Sequence, residues 1–169
     1  MKKVGKFEKV SLKQFIDASK ECTKENYDQI KLPKRATIQS AGYDFYAPFD
    51  ITINPKETVK IPTGIRVKML SDYVLLIFPR SSLGFKFRLQ LDNTVGVVDS
   101  DYYYSDNEGH IFIKLTNDNN ENKVLNIKKG DAFVQGIFLN FGITEDDEVS
   151  EYKLSTTTLN TMSIGKEVN

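Results

Sequence analysis

The sequence predicts an all-β fold, a sandwich or barrel of short strands with one N-terminal helix. Three observations lead there. Short apolar and β-branched runs recur from about residue 38 onward, turn signals separate them, and only one stretch near the N-terminus has helical periodicity. The 169 residues suit one domain with a sizeable core, with no repeat and no linker to divide it.

The helix is expected over about residues 11–26. Ser11 and Gln14 have capping-box spacing, and Leu12, Phe15, Ile16 and Cys22 define an apolar face for the body of the domain. Strands follow at 58–61 and 65–69, separated by Pro62-Thr63-Gly64. Residues 73–78 form a nearly continuous apolar run, the pattern of a strand buried on both faces. Further β-rich runs cover 110–115 and 133–141. Turns are marked by Asn54-Pro55, Gly84, Asp118-Asn119-Asn120 and Lys129-Gly130. Residues 103–108 and 117–123 read as mobile loops or insertions, and 144–150 as an acidic, solvated loop. The domain is expected to span 1–154, with 155–169 a flexible C-terminal tail.

Charge and composition exclude several functions. Lys plus Arg and Asp plus Glu number 23 each, so the chain lacks the basic surface that general nucleic-acid binding needs. Cys22 is the only cysteine and no apolar signal core opens the chain, so a reducing, cytoplasmic location is expected. One histidine, His110, and one cysteine cannot build a zinc site. No apolar run approaches the roughly 20 residues that span a bilayer, so no membrane is expected as a partner.

The segment Gly96-Val97-Val98-Asp99-Ser100-Asp101-Tyr102 carries the strongest chemical signal. Asp99 ends a β-prone run, where a stiff backbone can aim its carboxylate at a water or a sugar hydroxyl. Tyr102 can offer a flat face to a ring. Three other segments stand in order with it: Ala41-Gly42-Tyr43-Asp44-Phe45-Tyr46-Ala47, Pro79-Arg80-Ser81-Ser82-Leu83-Gly84, and Gly130-Asp131-Ala132-Phe133-Val134-Gln135. An Arg fork with neighbouring hydroxyls suits phosphate oxygens.

Together the four segments resemble motifs one to four of the trimeric dUTP diphosphatases (dUTPases), over residues about 33–141. The resemblance implies a jelly-roll-like β-barrel assembled as a homotrimer, with sites built from more than one subunit. It also implies Mg²⁺-dependent hydrolysis of dUTP to dUMP and pyrophosphate. Asp99 matches the family's catalytic carboxylate, which orients and deprotonates the attacking water. Tyr102 matches the tyrosine under the deoxyribose. Arg80, Ser81, Ser82 and Gln135 match phosphate-binding positions, and Gly84 permits close backbone approach. Asn93 opens the hairpin that reads the base, and Gly96 and Val98 belong to the same substrate-binding strand. Asp44 supports the metal, water and phosphate cluster from outside the metal's own ligands, which would be phosphates and water.

The chain also departs from the family. Ala132 replaces a basic residue, residues 103–108 lengthen the segment after the tyrosine, and Gly109 is the displaced glycine. The tail Leu159-Asn160-Thr161-Met162-Ser163-Ile164-Gly165 lacks the family's Arg and Phe, keeping only Ser163 and Gly165. Met162 or Leu159 is left to cover the base and Lys166 to meet the γ-phosphate, which predicts a slower or differently gated enzyme. Two other readings compete. A dCTP deaminase shares the fold, yet needs a glutamate where this chain has Lys114. A non-catalytic nucleotide sensor or protein-binding module would have no need of Asp99.

Overall fold

A computed structural model describes residues 1–149. The tail expected at 155–169 lies outside the described residues. In chain order the elements are β1 (Gly5–Lys9), α1 (Leu12–Ile16), α2 (Lys24–Asp28), β2 (Lys34–Arg35), β3 (Tyr43–Tyr46), β4 (Ile51–Ile53), β5 (Thr58–Pro62), β6 (Ile65–Met69) and β7 (Tyr73–Pro79). There follow α3 (Ser81–Phe87), β8 (Leu89–Leu91), β9 (Gly96–Val98), a 3-10 helix (Ser100–Tyr104), β10 (Phe112–Asn117), β11 (Leu125–Ile127) and β12 (Ala132–Asn140).

Among the described residues the strands pair antiparallel. A five-stranded sheet runs β2-β3-β12-β7-β9, a three-stranded sheet runs β5-β10-β8, and β1-β6 and β11-β4 form two ribbons. The fold is all-β, as the sequence predicts. In β4, β8, β9, β10 and β11 alternate residues turn inward, the period-2 signature of a sheet with one face on the core. Phe45, Leu75, Ile77, Val98, Ile113, Leu115 and Phe133 meet there. The β7 run departs from its expected burial on both faces. Leu75 and Ile77 are fully buried, whereas Val74, Leu76 and Phe78 are half-buried, because the second face of the sheet is only partly covered by the chain.

The helix expected over 11–26 is two five-residue helices. Ser11 Oγ accepts from Gln14 N at 3.1 Å to start α1, and Thr23 Oγ1 accepts from Asn26 N at 3.2 Å to start α2. A second cap at Thr23 interrupts the first helix, so Cys22 reaches a small satellite core with Val10 and Phe15 from the connecting turn. Gln14 does not close the capping box. Glu108 does so from far along the chain, accepting from Ser11 N at 2.7 Å and from Ser11 Oγ at 2.6 Å.

The two segments expected to be mobile loops or insertions carry internal hydrogen bonds. After the 3-10 helix, Ser105 Oγ donates to Tyr102 O at 2.8 Å, and Tyr103 OH donates to Glu8 at 2.7 Å. The Arg66 guanidinium lies 4.4 Å from the centre of the Tyr103 ring, a cation–π contact. In the 117–123 segment Asn117 is fully buried, and its amide donates to Ile53 O and Lys123 O, both at 2.9 Å. Polar composition here encodes a hydrogen-bonded scaffold.

Candidate active site

The strip formed by β3, β12 and β7 gathers three of the four motifs. Asp44 on β3 stands directly opposite Gln135 on β12. Gly42, just before β3, lies against the Gln135 side chain: a Cβ there would come 2.6 Å from Gln135 Oε1, so a larger residue would displace that amide. Pro79 ends β7 opposite Val134, and Arg80 N donates to Phe133 O at 3.3 Å, anchoring the entry to α3. The Arg80 side chain then reaches back, its Nε 3.4 Å from Asp44 Oδ1. Ser81 and Ser82 lie in the first turn of α3, Ser81 and Ser82 both outside the core. At Gly84 a Cβ would meet nothing within 4 Å, so packing within the chain does not require glycine there.

Asp99 leaves the end of β9 as the residue before the 3-10 helix, and its side chain makes no capping hydrogen bond. A structural role as a cap is therefore absent. The carboxylate is half-buried; burial first, and the Asp101 charge second, raise its pKa above the ordinary value. Among the described residues the side chains of Ser81, Ser82, Asn93, Asp99 and Gln135 form no hydrogen bond with the rest of the chain. Five polar side chains predicted to face a ligand are thus left without partners of their own.

The Asn93 segment is a tight turn between sheets rather than a paired hairpin. β8 pairs with β10 and β9 pairs with β7, so the connection crosses from one sheet to the other. Within it Thr94 N donates to Leu91 O at 2.9 Å and Val95 N to Asn93 O at 2.7 Å, with Thr94 left-handed at φ 66°. Gly96 and Val98 pair with Ile77 and Leu75 of β7 and are buried. Tyr102 is buried, its hydroxyl donating to His110 O at 2.8 Å and accepting from Asn107 Nδ2 at 2.7 Å. Gly109 has φ 71°, and a Cβ there would lie 2.8 Å from Tyr103 Cα, which accounts for glycine at this close approach. Ala132 lies at a bulge in the β3–β12 pairing. Lys114 is exposed and pairs with Asp92 at 3.5 Å, so no carboxylate stands at the position a deaminase needs. Leu159, Met162, Ser163, Gly165 and Lys166 lie outside the described residues.

His110 has a role that its sequence context does not reveal. It is fully buried, its Nε2 accepts from Gly64 N at 2.9 Å, and its ring centre lies 4.4 Å from that of Phe112. Burial lowers its pKa to about 4, with Glu108 opposing and Lys60 adding to the shift. Its place between Gly109 and the apolar Ile111 is the only sequence signal. Among the described residues no three Asp, Glu, His or Cys side chains come together to hold a metal. The donors offered by Asp44, Asp99 and Gln135 are all oxygens, which suits a hard cation carried on phosphate.

Within one chain Asp44, Arg80 and Gln135 share the Pro79 end of β7, whereas Asp99 follows Val98, which pairs with Leu75 toward the other end, so the structure brings three motifs together and leaves the Asp99 segment apart from them. The dUTPase family model matches residues 28–164. The chain is 43% identical over 130 residues to a deoxyuridine 5'-triphosphate nucleotidohydrolase of Lactococcus lactis, covering 76% of this chain and 85% of that protein. It is 40% identical over 120 residues to the enzyme of the same name from Finegoldia magna, covering 70% and 79%. The crystal structure of a Streptococcus mutans dUTPase superimposes with a TM-score of 0.65 at 36% identity, covering 82% of this chain and 98% of that one. A dUTPase from phage phi11 of S. aureus, described for its coordination of a structural Mg(II) ion, shares the fold at 20% identity and a TM-score of 0.63. The chain belongs to the dUTPase family.

Proposed function

We propose that this chain hydrolyses dUTP to dUMP and pyrophosphate, with Asp99 as the general base. The observation that carries the assignment is the Asp99 carboxylate, half-buried at the end of β9 and uncommitted to any cap. A water held by Asp99 attacks the α-phosphorus. The new oxygen–phosphorus bond forms as the bond to the bridging oxygen breaks, the water proton passes to Asp99, and pyrophosphate leaves. A carboxylate with a raised pKa is a stronger base than one in water.

Arg80, Ser81, Ser82 and Gln135 bind the phosphate chain. Asp44 keeps the Arg80 guanidinium turned toward the strip through their 3.4 Å contact. Gly84 lets the phosphates approach the backbone. Tyr102, buried and fixed by its hydroxyl, supports the sugar site from inside the chain, and exclusion of a 2′-hydroxyl is the role its motif position implies. The Asn93 amide and the neighbouring backbone, with Gly96 and Val98, read the acceptor–donor–acceptor edge of uracil. Mg²⁺ bound to the phosphates would neutralise their charge and fix their shape, with Asp44 supporting it through water.

The assembly is a homotrimer, a reading supported by family membership and by apolar side chains left outside the fold. Phe85 on α3 is 90% exposed, and Leu139, Phe141 and Ile143 are also exposed. Cys22, buried and unpaired, fits a cytoplasmic setting.

The decisive experiment measures pyrophosphate release from dUTP, dCTP, dTTP and UTP with Mg²⁺, alongside binding of a non-hydrolysable dUTP analogue. Wild type turns over dUTP selectively. Asp99→Asn loses about 10²–10⁴-fold in kcat while keeping analogue affinity within a few fold. Binding of dUTP by the wild type without pyrophosphate release would overturn the assignment.

A further inference from the structure

We propose that Asp92 is a positioning residue for base recognition: its carboxylate clamps the Asn93 turn in the shape that reads the pyrimidine. The proposal rests on the reading of that turn as the base site. Asp92 opens the turn and touches β10 three times. Its N–H donates to Lys114 O at 3.1 Å, Thr116 Oγ1 donates to Asp92 Oδ1 at 2.6 Å, and Lys114 Nζ lies 3.5 Å from Asp92 Oδ2.

The protons along this row are determined by chemistry. A carboxylate only accepts, so the Thr116 hydroxyl gives its proton to Asp92. Thr58 Oγ1, 2.7 Å from Thr116 Oγ1, must then be the donor to Thr116. A directed chain, Thr58 to Thr116 to Asp92, therefore runs from β5 across β10 into the turn. The bond to the carboxylate is short and charge-assisted. The Lys114 contact is long and half-exposed and adds little.

The turn needs such a clamp. β8 and β9 lie in different sheets, so no ladder of paired strands holds its two ends together. Thr94 is β-branched and left-handed at φ 66°, a conformation that persists only where the surroundings enforce it. The Asn93 side chain has no partner among the described residues, so its aim is set by the turn's backbone. Releasing Asp92 lets that aim drift without touching Asp99, which hangs from β9 on the other sheet.

The test uses the full chain with dUTP and dCTP as substrates and four variants: Asp92→Ala, Asp92→Asn, Thr116→Val and Asn93→Ala. Asp92→Ala raises KM for dUTP about tenfold, keeps kcat within about twofold, and narrows the preference for dUTP over dCTP. Asp92→Asn retains an Oδ1 acceptor and stays within about threefold of wild type, with Thr116→Val between the two. An unchanged KM and preference in Asp92→Ala overturns the clamp, as does a loss of kcat at constant KM. If Asp92→Ala does not fold, Thr116→Val decides, a raised KM supporting the clamp and an unchanged one overturning it. If Asn93→Ala raises KM and Asp92→Ala does not, the clamp alone fails. If Asn93→Ala also leaves KM unchanged, the base-site reading fails with it.

Discussion

In its proposed role as general base, Asp99 carries two demands that pull against each other. A general base has to be ionised to work, yet burial and the neighbouring Asp101 charge both favour its protonated form. Turnover should therefore rise with pH through a value above the ordinary aspartate range. Asp101→Asn removes the second of the two causes, so the acid limb of kcat/KM should move to lower pH with its plateau retained. A pH–rate profile of the two proteins checks this, and an acid limb that stays in place would count against the Asp101 charge. At this scale the sequence is informative where chemistry and spacing coincide. Asp99, Arg80, Ser81, Ser82 and Gln135 all stand out through their motifs. His110 does not, because a single buried histidine accepting one backbone N–H leaves no repeating pattern to read.

Among the elements, α3 makes a contrast between folding and function. Gly84 sits inside it with nothing within 4 Å of the place a methyl group would take. Gly84→Ala should stabilise the helix by up to about 1 kcal/mol. Turnover of dUTP should nonetheless fall under the proposal that the bare Gly84 backbone serves the phosphates. Thermal unfolding and steady-state rates measured on one preparation test both signs together. Strands are the most legible elements. The 73–78 run is β7 and the 133–141 run is β12, since apolar runs bounded by turn residues leave few alternatives. Apolar spacing over 11–26 overstates the helix because it hides a second capping signal, Thr23 three residues before Asn26. The segments at 103–108 and 117–123 look mobile by composition, which does not record that Asn107 and Asn117 use their amides inside the protein.

The whole molecule answers to pH through His110. Its folded pKa of about 4 lies below the ordinary 6.5, so the unfolded chain binds the extra proton first. Stability should be full above about 6.5 and decline as pH falls toward 4. Urea midpoints across that window measure the slope. His110→Asn, which can still offer an oxygen to Gly64 N, should flatten it, and an equal slope in both proteins would remove His110 from the account. The class of fold is legible because the strand pattern spans most of the chain. The split of β8 and β9 between two sheets is not, since pairing partners lie far apart in sequence. Glu108 illustrates what that distance entails. It completes the start of α1 across 97 positions of chain. The cap of the amino-terminal helix therefore requires closure of a loop of that length, an entropic cost that grows only slowly with the number of residues enclosed.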